Sequence, residues 1–557
     1  MHRWVALWVI AWGCTPDEPS SPDPDPVPPK VVYLSPTEHL VRASMTLRQK
    51  RPSPEELAQV AADPDALGAI VDGFLESPEL GTVMKDLHAE TLLVRVDLGT
   101  AFQSKQGVVD RTAGEMVTVY EEPLRLIEYV IANDRPYSEI VTADYAIADP
   151  ITSVVWGMTH SGGPDLEVSH WSDARPVAGI LSSSGLWARH ISAGSNYHRN
   201  RANLISSGLL CFDFLHSDIV LDTSIDLANP QVVANALVAN PSCAGCHQTL
   251  DPLASTLRGF QFGARYTNYP VQSWGQRWID EWIARGDTHR PAAFFGQPAQ
   301  TVVDVGQHIA ADPRFPRCAA ERFAAYFTQV DRDDVSFAWL VRLTDQFLAS
   351  GMNAKQLAKD IVMSDEFRVS HVVDGASTED AEALHGMLRT RPEQLGALFE
   401  DLTGFRWRTQ SAMTINSVPY GVADLLRGDF LGFRALAGGI DSYFVTRPTH
   451  TSNAVSSLLL RELARNAAGH VVDHDFAAGT QRTLLAIDED ERDPVAIRAE
   501  LARVHARIFG TLDAPESDEV AETYALFAAV LADTNDTRHA WRTTLTAMLS
   551  DLRVAYY

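Results

Sequence analysis

The stretch NAKQLAKDIVMSDEF, residues 353–367, decides the fold class of this chain. Leu357, Ile361 and Val362 recur at the spacing of one helix face, and Asn353 stands where a helix cap is expected. Outward from this stretch, the apolar pattern from residue 36 onward is mostly helical. A clear hairpin signal, such as Asn-Gly between two alternating runs, is missing. We therefore predict a mainly α protein built from multi-helical bundle domains.

Weak internal repetition supports this prediction. Three segments share an apolar helical stretch, then Ser, then an acidic residue or Pro, then an apolar residue: AIVDGFLESPEL (69–80), AKDIVMSDEFRV (358–369) and LTAMLSDLRVAY (545–556). Two of them follow a similar opening that begins at Arg42 and at Arg507, with a Pro-containing turn and an acid-rich helix start. A helical unit used up to three times explains the pattern. The alternative is independent reuse of common capping residues.

The length and the net charge of the chain limit its domain organisation and its partners. A chain of 557 residues is too long for one hydrophobic core, so several domains are expected. Lys and Arg number 46 against 72 Asp and Glu, which gives a formal net charge of −26. A surface this acidic repels nucleic acid and anionic lipid, so we predict no nucleic-acid partner. The charge suits either a basic partner or simple solubility.

The first residues, MHRWVALWVIAWGC, have the form of an export signal. A short basic start precedes an apolar run from Trp4 to Trp12, which is too short to cross a bilayer core of about 30 Å as a helix. Gly13 followed by Cys14 resembles the cleavage box of bacterial lipoproteins, with Cys14 as the lipid-bearing residue. The alternative is a removed signal with an incidental cysteine. The Pro- and Asp-rich run at 15–30 predicts an extended tether behind such an anchor.

The stretch NPSCAGCHQTLDPL, residues 240–253, carries the strongest chemical signal. Cys243, Cys246 and His247 form a C-x-x-C-H motif, the pattern of covalent haem c attachment. On a helical turn, residues i and i+3 project to one side, so both thiolates can reach one edge of a porphyrin. The next residue points about 100° away, so the His247 imidazole can ligate iron from below the ring.

Neighbouring residues complete the predicted local structure of the motif. Ser242 is expected to cap the motif turn. Asp251 and Pro252 are expected to be the cap and first residue of a second helix that ends near Gly259.

Other interpretations of the motif have less support. A zinc site needs four ligands, usually from a second C-x-x-C or from an H-x-x-x-H element, and we expect neither in this chain. A thioredoxin-like dithiol should follow a strand and open a helix, which the surrounding pattern does not predict. A disulfide between Cys243 and Cys246 would strain a helical turn. We therefore predict one covalent haem c, with His247 as the iron ligand.

The region around this motif resembles the planctomycete-type cytochrome-like proteins, a family of tandem domains of unknown function. The resemblance covers roughly residues 36 to 370, is most specific over 198–253, and implies an exported, mainly helical protein. It also implies one C-x-x-C-H motif with a cysteine on either side, here Cys211 and Cys318. The segments that carry it are RPYSEIVTADYAIAD (135–149), RPVAGILSSSGLWARH (175–190), HRNRANLISSGLLC (198–211), SCAGCHQTLDPLASTLRGF (242–260), DPRFPRC (312–318) and LAKDIVMSDEFR (357–368).

Cysteine arithmetic then predicts a disulfide. The chain has five cysteines. If Cys14 bears lipid while Cys243 and Cys246 bear haem, Cys211 and Cys318 are left as an even pair in an oxidising compartment. We predict that these two are bonded. The alternative is two buried free thiols.

The sixth ligand of the iron is not fixed by the sequence. His308, His289 and Met352 are the distal candidates, and His198 lies upstream in the basic stretch HRNR. Met at this position would raise the reduction potential. An open sixth position would instead favour ligand binding or peroxide chemistry.

Three functional hypotheses follow. The first is an exported c-type cytochrome-like protein, periplasmic or anchored to the outer membrane, that passes single electrons to an unidentified redox partner. The second is a haem-dependent oxidoreductase that acts with a partner subunit and uses the aromatic-rich region 260–300. The third is a non-catalytic helical scaffold lipoprotein.

These predictions divide the chain into six segments. They are a signal peptide (1–13), the lipobox Cys and linker (14–33), an N-terminal helical domain (34–174), a haem c-bearing domain (175–318), a helical extension (319–375) and a C-terminal helical domain (376–557).

Overall fold

The structure, a computed structural model, describes residues 31–96, 112, 117–193, 196–216, 222–262, 270–285, 290–372, 386–415, 418–428 and 431–557. The predicted signal peptide, Cys14, most of the linker and His289 lie outside these residues. Helices make up 58% of the structure and there is little sheet. The prediction of a mainly α, multi-helical protein is therefore confirmed.

Sixteen α-helices of the described chain lie between residues 36 and 362. They are α1 (Pro36–Arg48), α2 (Pro54–Ala62), α3 (Leu67–Leu75), α4 (Pro78–Leu92), α5 (Glu122–Ala132), α6 (Glu139–Thr142), α7 (Pro150–Trp156), α8 (Ser184–Arg189), α9 (Arg199–Leu210), α10 (Pro230–Ala239), α11 (Pro241–Ser255), α12 (Gln276–Ala284), α13 (Val302–Ala311), α14 (Arg314–Thr328), α15 (Phe337–Ala349) and α16 (Ala354–Val362).

Seven further α-helices follow in the described part of the chain. They are α17 (Pro392–Thr403), α18 (Phe433–Leu436), α19 (Ala454–Asp475), α20 (Pro494–Phe509), α21 (Asp518–Thr534), α22 (Thr537–Leu549) and α23 (Leu552–Ala555).

The strands of the described residues pair two at a time, and every pair is antiparallel. The pairs are β1 (Val31–Tyr33) with β6 (Val369–Val372), β2 (Ala146–Ala148) with β3 (Glu167–Ser169), β4 (Ala293–Phe294) with β5 (Gln297–Pro298), and β7 (Arg408–Ile415) with β8 (Val418–Asp424). The β7–β8 hairpin was not predicted, because residues 416 and 417 are Asn-Ser, not the Asn-Gly that marks such turns.

Helix α16 has the capping that its sequence predicts. The Asn353 side chain accepts a hydrogen bond from the backbone N–H of Gln356 at 3.0 Å, which satisfies one free donor of the first turn. Leu357, Ile361 and Val362 are fully buried. The predicted helix, its cap and its apolar face are therefore confirmed.

Among the described residues, two large clusters of buried apolar side chains and a smaller third cluster form the interior. The first draws on residues between 40 and 388, and the second on residues between 395 and 554 together with Met45. The first cluster runs across residues 174 and 318, where the sequence analysis places domain boundaries. The location of the cores does not test the division of the chain into six segments, so that division stays a prediction.

Helix α1 joins the two clusters. Ser35 and Glu38 form a capping box at its start, and residues 39 to 47 are all buried. Leu40 and Val41 belong to the first cluster, whereas Met45 belongs to the second. A helix buried on every side is a core element of a large protein rather than a surface helix.

The three repeated segments each close a unit of three helices. The units are α1–α3, α14–α16 and α20–α22. In each, the first helix ends at a residue in the left-handed conformation, Gln49, Gln329 or Gly510. The second helix then begins directly after a serine, Ser53, Ser336 or Ser517. The opening of the middle unit was not predicted, because its turn, QVDRDDVS, contains no Pro.

Within the described ranges, none of the helices combines the length and the hydropathy needed to cross a bilayer.

A disulfide ties the end of α9 to α14. The structure brings together Cys211, the residue after α9, and Cys318, which is buried within α14, as a bonded pair. The two cysteines are 107 residues apart in sequence, and the closed loop contains the C-x-x-C-H motif. The bond therefore restricts the unfolded chain over the whole segment that carries the motif.

Replacing both Cys211 and Cys318 by Ala is expected to lower the free energy of unfolding by about 4 to 5 kcal/mol, because the unfolded chain regains the entropy of a long open loop. Urea denaturation under non-reducing conditions measures the difference. Dithiothreitol should bring the wild type down to the level of the variant and leave the variant unchanged. Equal stability without reductant would contradict the expectation.

The first core should be sensitive to cavities. Phe323 is fully buried and its ring lies 6.0 Å from the rings of Tyr137 and Phe327, whereas Phe444 is 80% exposed. We expect Phe323→Ala to destabilise the protein by about 3 to 5 kcal/mol. Phe444→Ala, the matched control, should change stability by no more than about 0.5 kcal/mol. Thermal unfolding followed by circular dichroism compares them, and similar losses for both would count against this core.

Candidate haem-attachment site

Helix α11 carries all three residues of the C-x-x-C-H motif. Pro241 occupies its first position, and the Asn240 side chain caps it by accepting from the backbone N–H of Ser242 at 3.0 Å. Asn240 in turn donates from Nδ2 to Asp222 at 2.8 Å. The cap is therefore Asn240, not Ser242 as predicted, because the helix already begins at Pro241, two residues before the start that a Ser242 cap would give.

The two motif cysteines lie on this helix as free thiols. Cys243 and Cys246 are unbonded and half-buried, three residues apart. Cys246 also packs against the first core. Between them, Gly245 is exposed, and a side chain placed there would meet no atom within 4 Å. The thiols thus stand on one helical stretch that has open space beside its backbone.

The His247 imidazole is held by a carboxylate one turn further along α11. Its Nδ1 lies 2.9 Å from Oδ1 of Asp251. An ionised carboxylate can only accept, so Nδ1 carries a proton, and in the neutral ring Nε2 keeps its lone pair. This is the hydrogen bond expected behind a metal-ligating histidine, since it fixes both tautomer and ring orientation. The imidazole itself is 23% exposed.

Asp251 is in turn held by Arg199, the first residue of α9. Arg199 donates from Nε to Oδ1 at 2.6 Å and from Nη2 to Oδ2 at 3.1 Å. The Asp251 side chain is only 4% exposed. Burial alone would raise the pKa of this carboxyl, but the hydrogen bonds from His247 and Arg199 outweigh burial and lower the pKa below its usual value. Asp251 is therefore a carboxylate at neutral pH.

Helix α11 is continuous through Asp251 and Pro252. The prediction that these two residues begin a second helix is wrong, because the Asp251 carboxylate turns to His247 and Arg199 instead of capping a new first turn. Pro252 removes one backbone donor from the helix, which leaves the carbonyl of Gln248 without its usual partner. Gln248 is exposed, so water can satisfy that carbonyl.

Helix α10 packs beside α11, and much of the apolar surface of α10 is left uncovered. Ala236 is its one buried residue. Val238 is 66% exposed and Val232 is 37% exposed. A short helix of this composition would normally bury these side chains. The thiol-bearing helix is therefore flanked by apolar surface that no described residue covers.

The distal candidates have contacts elsewhere. His308 places Nε2 3.1 Å from the carbonyl oxygen of Pro298 and stacks on Phe294. The Met352 carbonyl accepts from the N–H of Tyr137 at 2.9 Å. None of the contacts described for His308 or Met352 is with the motif, and His289 lies outside the described residues. All three stay candidates.

His198 is enclosed by aromatic rings. It stacks on Phe262 at 4.4 Å and on Trp282 at 5.4 Å between ring centroids. Its Nδ1 accepts from Arg201 at 3.0 Å, which puts the proton of the neutral ring on Nε2. Burial, and then the charge of Arg201, lower its pKa well below the usual value. In this arrangement His198 is a fully buried packing residue.

Asp251 and Arg199 were not predicted as site residues from the sequence. The signal for Asp251 was the spacing H-x-x-x-D, which puts the two side chains on one face of a helix. Arg199 lies 52 residues away in sequence, and only the packing of α9 on α11 reveals it.

The expectation that the chain lacks an H-x-x-x-H element is wrong, since His470 and His474 form such a pair within α19. The rings of His470 and His474, both on α19, stack on each other with 5.7 Å between their centroids. His474 Nδ1 lies 2.9 Å from Oδ1 of Asp475. Over the part of the chain that the structure describes, no group of three or more His, Cys, Asp or Glu side chains is arranged to hold a metal ion. This holds for the pair and for the motif alike.

Comparison of the chain with protein-family models, with curated proteins and with solved structures finds no match in any of the three.

The accessibility of the thiols predicts their reactivity. In folded haem-free protein, iodoacetamide should label Cys243 and Cys246, because both are free and half-exposed. Cys211 and Cys318 should be recovered as one cross-linked peptide. Peptide mapping by mass spectrometry reads out both results, and labelling after reduction in urea serves as the control. A cross-link between Cys211 and either motif cysteine would contradict the structure.

Proposed function

We propose that this chain is an exported c-type cytochrome-like protein that transfers single electrons through one haem. Cys243 and Cys246 would form the thioether bonds, and His247 would ligate the iron. The observation that carries the proposal is the pairing of two free, half-buried thiols with an adjacent imidazole whose Nδ1 is tied to a buried carboxylate. That hydrogen bond leaves Nε2, the nitrogen that faces a metal, with its lone pair.

The donor set favours haem over the other uses of two cysteines. Structural zinc takes four protein ligands, whereas the Asp251 carboxylate beside His247 is already occupied by two hydrogen-bond donors. A thioredoxin-like dithiol follows a strand, whereas α11 follows α10 with a single residue between them. Haem needs only the two thiols and one imidazole from this helix.

The bound haem would supply the one-electron exchange between ferrous and ferric iron. The protein residues around it have other tasks. The half-buried positions of Cys243 and Cys246 allow a haem-attachment enzyme to reach the thiols. The uncovered side chains of α10 offer apolar surface beside them, which would limit water at the site and so influence the potential.

Location and partners belong to the same proposal. The signal-like start, Cys14 and the Pro-rich run support export followed by a lipid anchor, in the periplasm or at the outer membrane, with no other membrane contact. The motif and its flanking segments support membership of the planctomycete-type cytochrome-like family. A separate redox protein would exchange electrons with the haem. The acidic surface speaks against nucleic acid.

Covalent attachment is the direct test. Protein produced in a bacterial host with haem-attachment machinery should give a pyridine haemochrome spectrum with two thioether bonds. Cys243→Ala should shift that spectrum towards the single-thioether form, because one vinyl group stays unreacted. The double variant with Cys246→Ala should lose covalent haem altogether.

Ser242→Ala is the matched control for these variants. Ser242 is exposed and adjacent to Cys243, and this change should leave both the spectrum and the haem content unaltered. A wild-type protein that is colourless after passage through the attachment machinery would refute the proposed function.

A further inference from the structure

We infer that Asp251 and Arg199 act in opposite directions on the reduction potential of the haem through the imidazole of His247. Asp251 would lower the potential, and Arg199 would limit how far it falls. This inference rests on the proposed function, because it requires haem iron on His247. Both are positioning residues, since neither touches the iron or the porphyrin in this assignment.

The geometry makes the three side chains one connected unit. Oδ1 of Asp251 accepts from two donors, His247 Nδ1 at 2.9 Å and Arg199 Nε at 2.6 Å. Oδ2 accepts from Arg199 Nη2 at 3.1 Å. The aspartate side chain is 4% exposed and the arginine side chain 15% exposed. Water therefore has little access to the carboxylate, and its charge is shared between the arginine and the imidazole.

The direction of each effect follows from where the proton of Nδ1 is drawn. A carboxylate attracts that proton more strongly than a neutral acceptor does, so the ring becomes a stronger electron donor at Nε2. A stronger donor stabilises ferric iron relative to ferrous iron, which lowers the potential. Arg199 donates to the same carboxylate oxygen, which weakens the hydrogen bond between that oxygen and the Nδ1 proton of His247.

The two residues come from different helices, which makes the balance a property of the fold. Asp251 belongs to α11 together with His247, whereas Arg199 begins α9. The disulfide at Cys211 then fixes the far end of α9 to α14. The position of Arg199 against Asp251 is thus set by helix packing rather than by local sequence.

The test compares haem-loaded wild type with Asp251→Asn, Arg199→Gln and a matched control by spectroelectrochemistry. Asp251→Asn should raise the potential, with about a tenfold change in the ratio of oxidised to reduced protein at a fixed applied potential, or about 59 mV for one electron. Arg199→Gln should lower the potential. The control is Asp222→Asn, which removes the same charge from a residue that holds the cap of α11 but does not contact His247.

Opposite shifts in the two variants, with a shift less than half as large in the control, would support the inference. A purely structural role predicts shifts of the same sign, because both losses would loosen the same histidine, and that result would overturn it. An equal shift in Asp222→Asn would also overturn it, since the effect would then be general electrostatics. Absence of covalent haem from wild type would instead refute the proposed function, and this inference with it.

A haem-free measurement covers the case in which a variant folds poorly. In protein labelled with 15N-histidine, and with His247→Gln for assignment, the wild-type imidazole should carry its proton on Nδ1. Asp251→Ala should return it to the Nε2-protonated form that free imidazole side chains favour. A wild-type ring protonated on Nε2 would overturn the inference without reference to haem.

Discussion

The burial of helix α1 is the constraint on which the two cores depend. Nine consecutive residues from 39 to 47 are buried, and they include a cationic side chain, Arg42. Its guanidinium donates to the carbonyl oxygens of Phe367 and Val369 at 2.8 and 2.7 Å, and burial lowers its pKa to about 10. Backbone carbonyls thus replace the water that this cation loses. Because α1 contributes to both apolar clusters, displacing it would open both.

The candidate site is built on the first of these cores. The buried half of α11 anchors the helix, and α9 supplies Arg199 from one side. The disulfide at Cys211 holds the other end of α9 against α14, a helix of the central three-helix unit. In the proposed function, the His247 imidazole would present one nitrogen in a fixed direction and would need such support, since a loosely held ligand loses its orientation. The rigid core and the chemistry of the motif are therefore linked by packing.

Local signals in the sequence predicted much of this structure, and long-range contacts account for most of what it missed. The apolar spacing and Asn353 predicted α16 with its cap, because both lie within a few residues of each other. The cysteine count singled out Cys211 and Cys318. The role of Asp251 was misjudged, since an Asp before a Pro has the form of a helix start, and nothing local shows that Arg199 will reach it. The β7–β8 hairpin is a local element, and it was missed because two strands can pair without a strong turn signal.

The two halves of α11 differ in a way that bears on how the protein matures. Residues 250 to 255 are all buried, whereas residues 241 to 249 are exposed or half-buried. Pro252 lies within the helix after the motif and has no backbone N–H, so the helix lacks one backbone hydrogen bond there. The motif half therefore has fewer buried contacts than the other half, and we expect it to open more readily, as exposed segments with few apolar contacts do. In the proposed function, such local opening would expose the thiols to an attachment enzyme without unfolding the core. A bound porphyrin would then keep that half of the helix folded.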